Sequence, residues 1–255
     1  MSANTRVALI LAAGNGSRLA PVSGSMPKPL VELQGRPLIE HVLLGARNAG
    51  IERFVIVAGF RADAVRSWAA GQHYHGLQID VIENPDYKVK ANGISVLKAR
   101  DVIAEPFLLL MADHIFEPET AAALLRQPVE PGTAVLAVDS KLASIFDMDD
   151  ATKVLRRGEY ILEIGKGLPR YDAADTGMFL CTPAVFSALE RATVNGDCSL
   201  SDGMRLLAQE RKLRAFDIGP AYWQDVDTPE TLAHAELVFA DACRSDATSM
   251  EISCV

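Results

Sequence analysis

The sequence has no excess of positive charge and few aromatic side chains. Its formal net charge is -8 at pH 7, and aromatic residues make up 6% of the 255 residues. Because affinity for a nucleic-acid backbone needs clustered Lys and Arg, we expect no nucleic-acid partner. An anionic small molecule would need a local basic site instead.

Cysteines are also scarce, and none forms a CxxC pair. The four are widely spaced, at Cys181, Cys198, Cys243 and Cys254. This pattern argues against a zinc site and against a disulfide framework. It is typical of a reducing compartment, so we expect a cytoplasmic protein.

Long hydrophobic runs are absent as well. The first apolar run, residues 7–13, is too short for a membrane span and has no basic flank of the kind that precedes a secretory signal. We therefore expect no targeting segment and no membrane partner. With 49% hydrophobic and 23% charged residues, the composition is that of a folded globular chain.

Six short apolar runs indicate the architecture. They cover residues 7–11, 54–57, 78–82, 107–111, 134–138 and 178–181. Residues 37–49 and 119–126 have the apolar spacing of helices that cover a sheet. Apolar runs that alternate with helical patterns predict a mostly parallel sheet covered on both faces. The expected fold class is α/β, doubly wound.

Residues 147–173 interrupt this alternation. They are charged and rich in turn formers, with short alternating pieces at 153–155 and 160–164, which predict a small β-hairpin flap on the main sheet. No linker is visible before about residue 240. We expect one domain over residues 1–240 and a frayed tail over residues 241–255. His73 and His75 lack a third ligand in the sequence, so we interpret them as part of an exposed loop.

The first apolar run leads into a loop with two glycines. The loop reads Leu11-Ala12-Ala13-Gly14-Asn15-Gly16-Ser17-Arg18, and Lys28 follows in Pro-Lys-Pro-Leu. The glycines leave backbone N–H groups open to phosphate oxygens, and the two cations suit a polyphosphate. A dinucleotide fingerprint is excluded because Leu19 stands where it needs a third glycine, and no Gly-Lys-Ser/Thr completes a P-loop. A glycine turn with two surface cations is the alternative.

Together, the two halves of this motif resemble the signature of the sugar-phosphate nucleotidylyltransferase superfamily. Four further segments resemble CTP:inositol-1-phosphate cytidylyltransferases, namely residues 92–95, 111–114, 175–177 and 223–229. The resemblance covers residues 7–237 and implies a Rossmann-like sheet of the nucleotidyltransferase type. It also implies Mg²⁺-dependent transfer of CMP from CTP to inositol 1-phosphate, giving CDP-inositol and pyrophosphate. Relatives are sometimes fused to a membrane-embedded domain, and we expect a stand-alone form here.

The resemblance implies a role for each site residue. It assigns Asp113 and Asp225 to magnesium, the acceptor's hydroxyls to Asp175 and Thr176, and the phosphates to Arg18, Lys28, Lys153 and Lys166. It assigns the nucleotide to Leu11, Ala12, Ala13, Gly14, Gly16, Asn92, Gly93 and Ser95. Two interpretations without a catalytic role remain open: the flap lysines are only solvated, and Asn92 only begins a helix. The pattern around His114 does not decide its role.

The acidic positions also carry expectations of their own. Asp113 ends an apolar strand at the edge where open α/β sheets bind ligands, so we expect an unpaired carboxylate whose removal hardly affects metal-free stability. Asp225 and Asp227 precede a predicted helix start with Thr228 as the N-cap and Pro229 first, which offers a purely structural interpretation.

Three other functions remain open at this point. The acceptor could be phosphocholine or another phosphoalcohol, or the reaction could be a sugar-1-phosphate uridylyl or guanylyl transfer. From a different class, the chain could be a non-catalytic regulatory subunit that binds nucleotide. The sequence does not set the oligomeric state and leaves a homodimer open.

Overall fold

The computed structural model describes residues 5–72 and 77–251, with side chains described to residue 240. His73 and His75 lie outside the described residues. The strands are β1 Val7–Ala12, β2 Glu32–Leu33, β3 Arg36–Pro37, β4 Arg53–Ala58, β5 Gln78–Glu83, β6 Phe107–Met111, β7 His114–Phe116, β8 Ala134–Asp139, β9 Lys153–Arg157, β10 Tyr160–Gly165, β11 Ala173–Cys181, β12 Leu213–Asp217 and β13 Trp223–Asp225. The α-helices are α1 Ala20–Ser23, α2 Leu38–Asn48, α3 Ala62–Gly71, α4 Asn92–Leu97, α5 Pro118–Leu125, α6 Ala184–Ala192, α7 Leu200–Gln209 and α8 Pro229–Glu251.

A nine-stranded sheet forms the centre, in the order β5-β4-β1-β6-β11-β8-β12-β10-β9. It contains all six strands that the apolar runs predict. Pairings among β5, β4, β1 and β6 are parallel, as is the pairing of β12 with β8. The fold is α/β with a Rossmann-like parallel half, as expected.

Strand β11 departs from the parallel pattern, because it runs antiparallel to both of its neighbours, β6 and β8. A parallel return needs a long crossover, usually a helix, whereas an antiparallel one does not. Between β8 and β11 the chain makes the β9–β10 hairpin instead of a long helix. The sheet as a whole is therefore mixed.

Helices cover both faces of the sheet. Alternate residues of β1 point to opposite sides, and all six are buried. Ala8 and Ile10 join a cluster with α2, α3 and α5, while Val7 and Leu9 join a cluster with α4, α6 and α7. Burial on both sides explains why β1 reads as a continuous apolar run.

The expected hairpin is present as β9 and β10, which pair antiparallel. It is continuous with the main sheet, since β10 pairs with β12 and β9 pairs with β11. Two small antiparallel pairs, β2–β3 and β7–β13, lie outside the nine strands. The second of these brings His114 opposite Asp225.

Helix α8 begins where the sequence predicts, at Pro229. The Thr228 hydroxyl caps it by accepting from the Thr231 N–H at 3.2 Å. The helix continues through Glu251, past the boundary expected near residue 240, and residues 252–255 are not described. Within the described part of the chain, no helix is long and apolar enough to cross a membrane.

Candidate active site

Three cavities meet at the carboxyl ends of β1 and β6. We name them the loop cavity, about 210 Å³, the edge cavity, about 310 Å³, and the acid cavity, about 260 Å³. Asp113, two residues beyond β6, lines all three. Carboxyl ends of parallel strands are where open α/β sheets bind ligands, so this position agrees with the sequence expectation.

The loop cavity is formed by the segment after β1. Its lining residues are Gly14, Asn15, Gly16, Ser17, Arg18, Lys28, Asp113 and Asp227. Gly16 has φ of +62°, and a Cβ there would come within 2.7 Å of the Lys28 Cβ. Only glycine combines that backbone conformation with such a close approach. The second glycine of the motif thus seats the loop against the segment that carries Lys28.

The edge cavity contains most of the residues that the sequence assigns to the nucleotide. Its lining residues are Leu11, Ala13, Gly14, Tyr87, Lys90, Asn92, Ser95, Met111 and Asp113. Ala12 is on the opposite face of β1, in the core with α2. Gly93 has a packing role, because a Cβ there would lie 2.6 Å from the Cys198 carbonyl oxygen. Neither residue reaches this cavity with a side chain.

Two lining residues of the edge cavity also support the local structure. The Asn92 side-chain oxygen accepts from the Leu200 N–H at 2.8 Å, and the Ser95 hydroxyl accepts from the Asn84 amide at 2.9 Å. Tyr87 and Lys90 complete the lining, and the sequence did not single them out. They belong to no recognisable motif, and single aromatic or basic residues in a turn are common on protein surfaces.

A chain of alternating charges connects the loop cavity with the acid cavity. Lys28 contacts both Asp113 and Asp227, and Arg18 contacts Asp227 on its other side. Arg18 also donates to Asp150 at 2.9 Å. The expectation that Asp113 is unpaired is therefore wrong: the lysine predicted for phosphate holds it.

Asp113 remains an anion in this setting. Burial alone would raise the pKa of its carboxyl group, but the positive charge of Lys28, followed by His114, outweighs burial and holds the pKa below its usual value. The side chain of Lys28 is only 8% exposed, so water screens this ion pair weakly.

Asp150, Asp225 and Asp227 form a group of carboxylates in the acid cavity. One oxygen of each lies within 4.8 Å of the others. Hard oxygen ligands of this kind suit a divalent cation such as Mg²⁺ or Ca²⁺. The group includes Asp225, one of the two predicted ligands, but not Asp113, although both line the cavity.

The sequence missed Asp150 as a site residue. It follows Asp147 and Asp149 in the predicted flap, and acidic loop residues are usually just solvated. In the structure its two oxygens accept from different cations, Arg18 at 2.9 Å and Lys166 at 2.6 Å. These contacts, with the Lys166 bond first, hold the pKa of Asp150 below its usual value.

The two flap lysines have different surroundings. Lys166 lines the acid cavity and is bonded to Asp150. Lys153 is buried and donates to the Asp149 carbonyl oxygen at 2.7 Å, and it lines none of the three cavities. Its side chain links the start of β9 to the turn that precedes this strand.

Asp175 and Thr176 also have different surroundings. Asp175 lines the acid cavity, and burial raises its pKa to about 6, although the Gly177 N–H donates to it at 2.7 Å. Thr176 is fully buried, and its hydroxyl donates to the Ala137 carbonyl oxygen at 2.8 Å. Its side chain cannot contact an acceptor as expected, because neighbours on a strand point to opposite faces.

Comparisons with known proteins identify the family of the chain. A 38% identity over 231 residues links the chain to a bifunctional IPC transferase and DIPP synthase of Rubrobacter xylanophilus. A CMP-5'-(3-aminopropyl)phosphonate synthase of Streptomyces rubellomurinus is 32% identical over 257 residues. These matches cover 90% and 91% of this chain but only 51% and 38% of the relatives, so the chain spans about half or less of their length.

A solved structure, the inositol-1-phosphate CTP transferase from T. maritima, superposes with a TM-score of 0.80 at 27% identity. The match covers 91% of this chain and 97% of that one. A family model for the MobA-like NTP transferase domain matches residues 8–213, which include all of β1 except Val7, the glycine loop, Asp113 and the hairpin. The chain belongs to the family of MobA-like NTP transferase domains.

Proposed function

We propose that this chain transfers CMP from CTP to inositol 1-phosphate, forming CDP-inositol and releasing pyrophosphate. The observation that carries the proposal is the position of Asp113 where three cavities meet. A nucleoside, its phosphates and an acceptor each need a space of their own beside one reacting centre. Similarity to the T. maritima inositol-1-phosphate CTP transferase supports the choice of substrates.

In this proposal the edge cavity takes the nucleoside and the loop cavity takes the phosphates that leave. Gly14 and Gly16 keep the loop free of side chains, and Arg18 and Lys28 supply positive charge beside it. The acid cavity takes inositol 1-phosphate. Lys166 lies there and can pair with the acceptor phosphate once Asp150 shares it.

The reaction needs alignment more than proton transfer. The second pKa of a phosphate monoester is about 6, so the acceptor carries close to two negative charges at neutral pH and needs no general base. One acceptor oxygen attacks the α-phosphorus of CTP in line, and the bond from that phosphorus to the pyrophosphate oxygen breaks. Lys28, Arg18 and Lys166 bring the two anions together and offset the charge that develops.

We assign Mg²⁺ to the carboxylates Asp113 and Asp225. The donor set fits, because every acidic group of the acid cavity offers hard oxygen atoms and Asp225 belongs to the close group with Asp150 and Asp227. When bound, the cation would neutralise phosphate charge. Lys28, which contacts Asp113 and Asp227, and Arg18, which contacts Asp150 and Asp227, would then be shared with the nucleotide.

A pyrophosphate-release assay tests the proposal. CTP, UTP, GTP and ATP are each combined with inositol 1-phosphate, phosphocholine, 3-aminopropylphosphonate and glucose 1-phosphate. We expect CTP with inositol 1-phosphate to give the highest kcat/KM. Equal turnover with UTP or GTP contradicts the choice of base, and a better acceptor contradicts the choice of inositol phosphate.

A second candidate acceptor is an aminoalkylphosphonate. The 32% identity to the Streptomyces rubellomurinus synthase favours it over the remaining alternatives. If no pair of substrates releases pyrophosphate while CTP still binds, the proposed reaction is wrong and a regulatory subunit becomes the alternative. The intact cations and carboxylates of the three cavities argue against that outcome.

The location and the extent of the catalytic unit belong to the same proposal. We infer a cytoplasmic enzyme whose nucleotidylyltransferase domain covers residues 1–240. The absence of any CxxC pair supports the location, and the shared core of the nine-stranded sheet supports the single domain.

A further inference from the structure

We propose that His114 selects the acceptor, by a hydrogen bond between its Nε2 atom and a hydroxyl group next to the acceptor phosphate. The inference rests on the proposed function, and it explains how a polyol phosphate would be preferred to phosphocholine. Four features of the site support it: the orientation of the ring, the space made for it, its free nitrogen and the chemistry of its neighbour.

The orientation of the His114 ring is set by one hydrogen bond. Its Nδ1 atom lies 2.9 Å from the Thr176 carbonyl oxygen. A carbonyl oxygen only accepts, so Nδ1 carries the proton and donates. In the neutral ring, Nε2 then keeps its lone pair. Buried Thr176 thereby acts on the site through its main chain, although its side chain does not reach the cavity.

The backbone at Gly177 is shaped to admit this ring. A Cβ on Gly177 would lie 2.2 Å from Nδ1 and 2.6 Å from Cε1 of His114, and φ at Gly177 is +74°. Any side chain there would displace the imidazole. On the other side, the Trp223 ring lies 5.9 Å from the His114 ring, centroid to centroid, and its Nε1 donates to Asp139 at 2.9 Å. The imidazole is therefore held in one position.

The Nε2 atom has no hydrogen bond to any described residue. An Asp113 oxygen lies 3.7 Å from Nε2, which is beyond hydrogen-bond distance. His114 lines the acid cavity, and its side chain is 19% exposed. A fixed ring nitrogen without a described hydrogen-bond partner, on the wall of a cavity, is well placed to bind a ligand group.

Asp175 offers a second such atom in the same cavity. One of its oxygens accepts from the Gly177 N–H, and the other, Oδ2, has no hydrogen bond within residues 5–72 and 77–240. A hydroxyl both donates and accepts, so it can pair with either residue in any protonation state. A polyol phosphate, with several hydroxyls, can offer one to each residue of this cavity. The quaternary ammonium of phosphocholine has no N–H or O–H, so it could not form a hydrogen bond with His114 and could meet Asp175 only by charge attraction.

The test compares His114→Ala and His114→Gln with a matched control, His41→Ala. His41 also contacts one carbonyl oxygen, that of Leu33 at 2.9 Å, and one aromatic ring, Phe239 at 5.5 Å, but it lies outside the three cavities. The acceptors are inositol 1-phosphate and two analogues, each with one of the hydroxyls beside the phosphate replaced by hydrogen. The readouts are kcat/KM for each acceptor, KM for CTP and melting temperature.

We expect His114→Ala to lower kcat/KM for inositol 1-phosphate about 10- to 100-fold, as for the loss of one buried hydrogen bond. KM for CTP should change less than about threefold, and His41→Ala should retain activity. With the wild type, one deoxy analogue should have a low kcat/KM. His114→Ala should lower that value little further, since the mutation and the missing hydroxyl remove the same hydrogen bond. His114→Gln, whose amide can still accept, should restore part of the activity.

Other results overturn the inference. An equal loss for every acceptor, phosphocholine included, means that His114 contacts the phosphate, and an unchanged hydroxyl preference means that it only supports the fold. If His114→Ala does not fold, His114→Gln with the deoxy analogues decides in the same way. If the wild type prefers a sugar 1-phosphate, inositol 1-phosphate is not the substrate. The role of His114 is then tested by the same comparison of His114 variants with deoxy analogues of that sugar. If the preferred acceptor has no hydroxyl group, both the proposed substrate and the proposed role of His114 are wrong.

Discussion

At the scale of single residues, Asp113 has two roles that a mutation can separate. It pairs with Lys28, which is almost fully buried, and it lines each of the three cavities. We expect Asp113→Ala to lower kcat at least about 100-fold, as for a lost electrostatic contact in the transition state. Contrary to the expectation from sequence, it should also cost about 1–2 kcal/mol of metal-free stability, because Lys28 loses one of two partners.

Pyrophosphate release across a Mg²⁺ titration, together with melting curves in chelator, measures both effects. Asp101→Ala is the control, since that side chain is 82% exposed. If Asp113→Ala melts at the wild-type temperature and keeps its kcat, then neither the ion pair nor the proposed metal ligand contributes.

Asp175 should destabilise the fold when it is ionised and contribute to binding of the acceptor. Burial raises its pKa to about 6 from 3.8, so the folded state binds more protons than the unfolded state between those values. Stability therefore falls as the pH rises through that window, and the full penalty applies above about pH 6. We expect Asp175→Asn to raise the free energy of unfolding by about 1–2 kcal/mol at pH 8 and much less at pH 4.

The same variant should raise KM for the acceptor and leave KM for CTP nearly unchanged. Thermal unfolding at the two pH values and steady-state kinetics provide the measurements. A gain in stability that is equal at pH 4 and pH 8 would show that the carboxyl group is not the titrating group behind the penalty.

At the scale of secondary-structure elements, the sequence identifies strands more easily than their directions or faces. Runs such as residues 7–11 are apolar because both faces of the sheet are covered, and that signal is local. The antiparallel direction of β11 depends on the hairpin that precedes it, which is a matter of connection. The side of the sheet to which Thr176 and Lys153 point depends on the pleat and register of their strands. A motif match carries no information on either.

The hairpin element is joined to the glycine loop by Asp150, which binds Arg18 of the loop and Lys166 after β10. We expect Asp150→Asn to lower kcat about tenfold, because two mutually repelling cations lose the anion between them and are positioned less well. KM for CTP should not rise, since one negative charge near the phosphates is removed. Asp149→Asn is the control, because Asp149 is exposed and contacts Lys153 through its backbone carbonyl.

A double-mutant cycle with Arg18→Ala decides whether Asp150 acts through the arginine. The loss caused by Asp150→Asn should be smaller in the Arg18→Ala background than in the wild type. Strictly additive losses, or a higher KM for CTP with an unchanged kcat, contradict this positioning role.

At the scale of the whole molecule, the site joins segments that are far apart in the chain. Arg18 and Lys28 come from the first thirty residues, Asp150 from the hairpin, and Asp227 from the turn before α8. In the free protein these cations and carboxylates neutralise one another. Asp113 and Asp227 are already paired with Lys28 and Arg18, so a metal ion or a nucleotide that binds alone competes with these ion pairs.

Mg²⁺ and CTP should therefore stabilise the fold together by more than the sum of their separate effects. The metal ion binds the carboxylate of an ion pair and frees the cation for the nucleotide, and the nucleotide binds the cation and frees the carboxylate for the metal ion. The resulting coupling free energy is the same in both directions. Melting temperatures with chelator, with Mg²⁺ alone, with CTP alone and with both provide the measurement. Because Mg²⁺ also binds CTP in solution, Asp227→Asn is the necessary comparison: solution binding is the same for both proteins, but the variant no longer holds Lys28 and Arg18 through Asp227. The excess stabilisation should shrink in Asp227→Asn, and an undiminished excess would assign the effect to solution chemistry and not to the paired charges of the site.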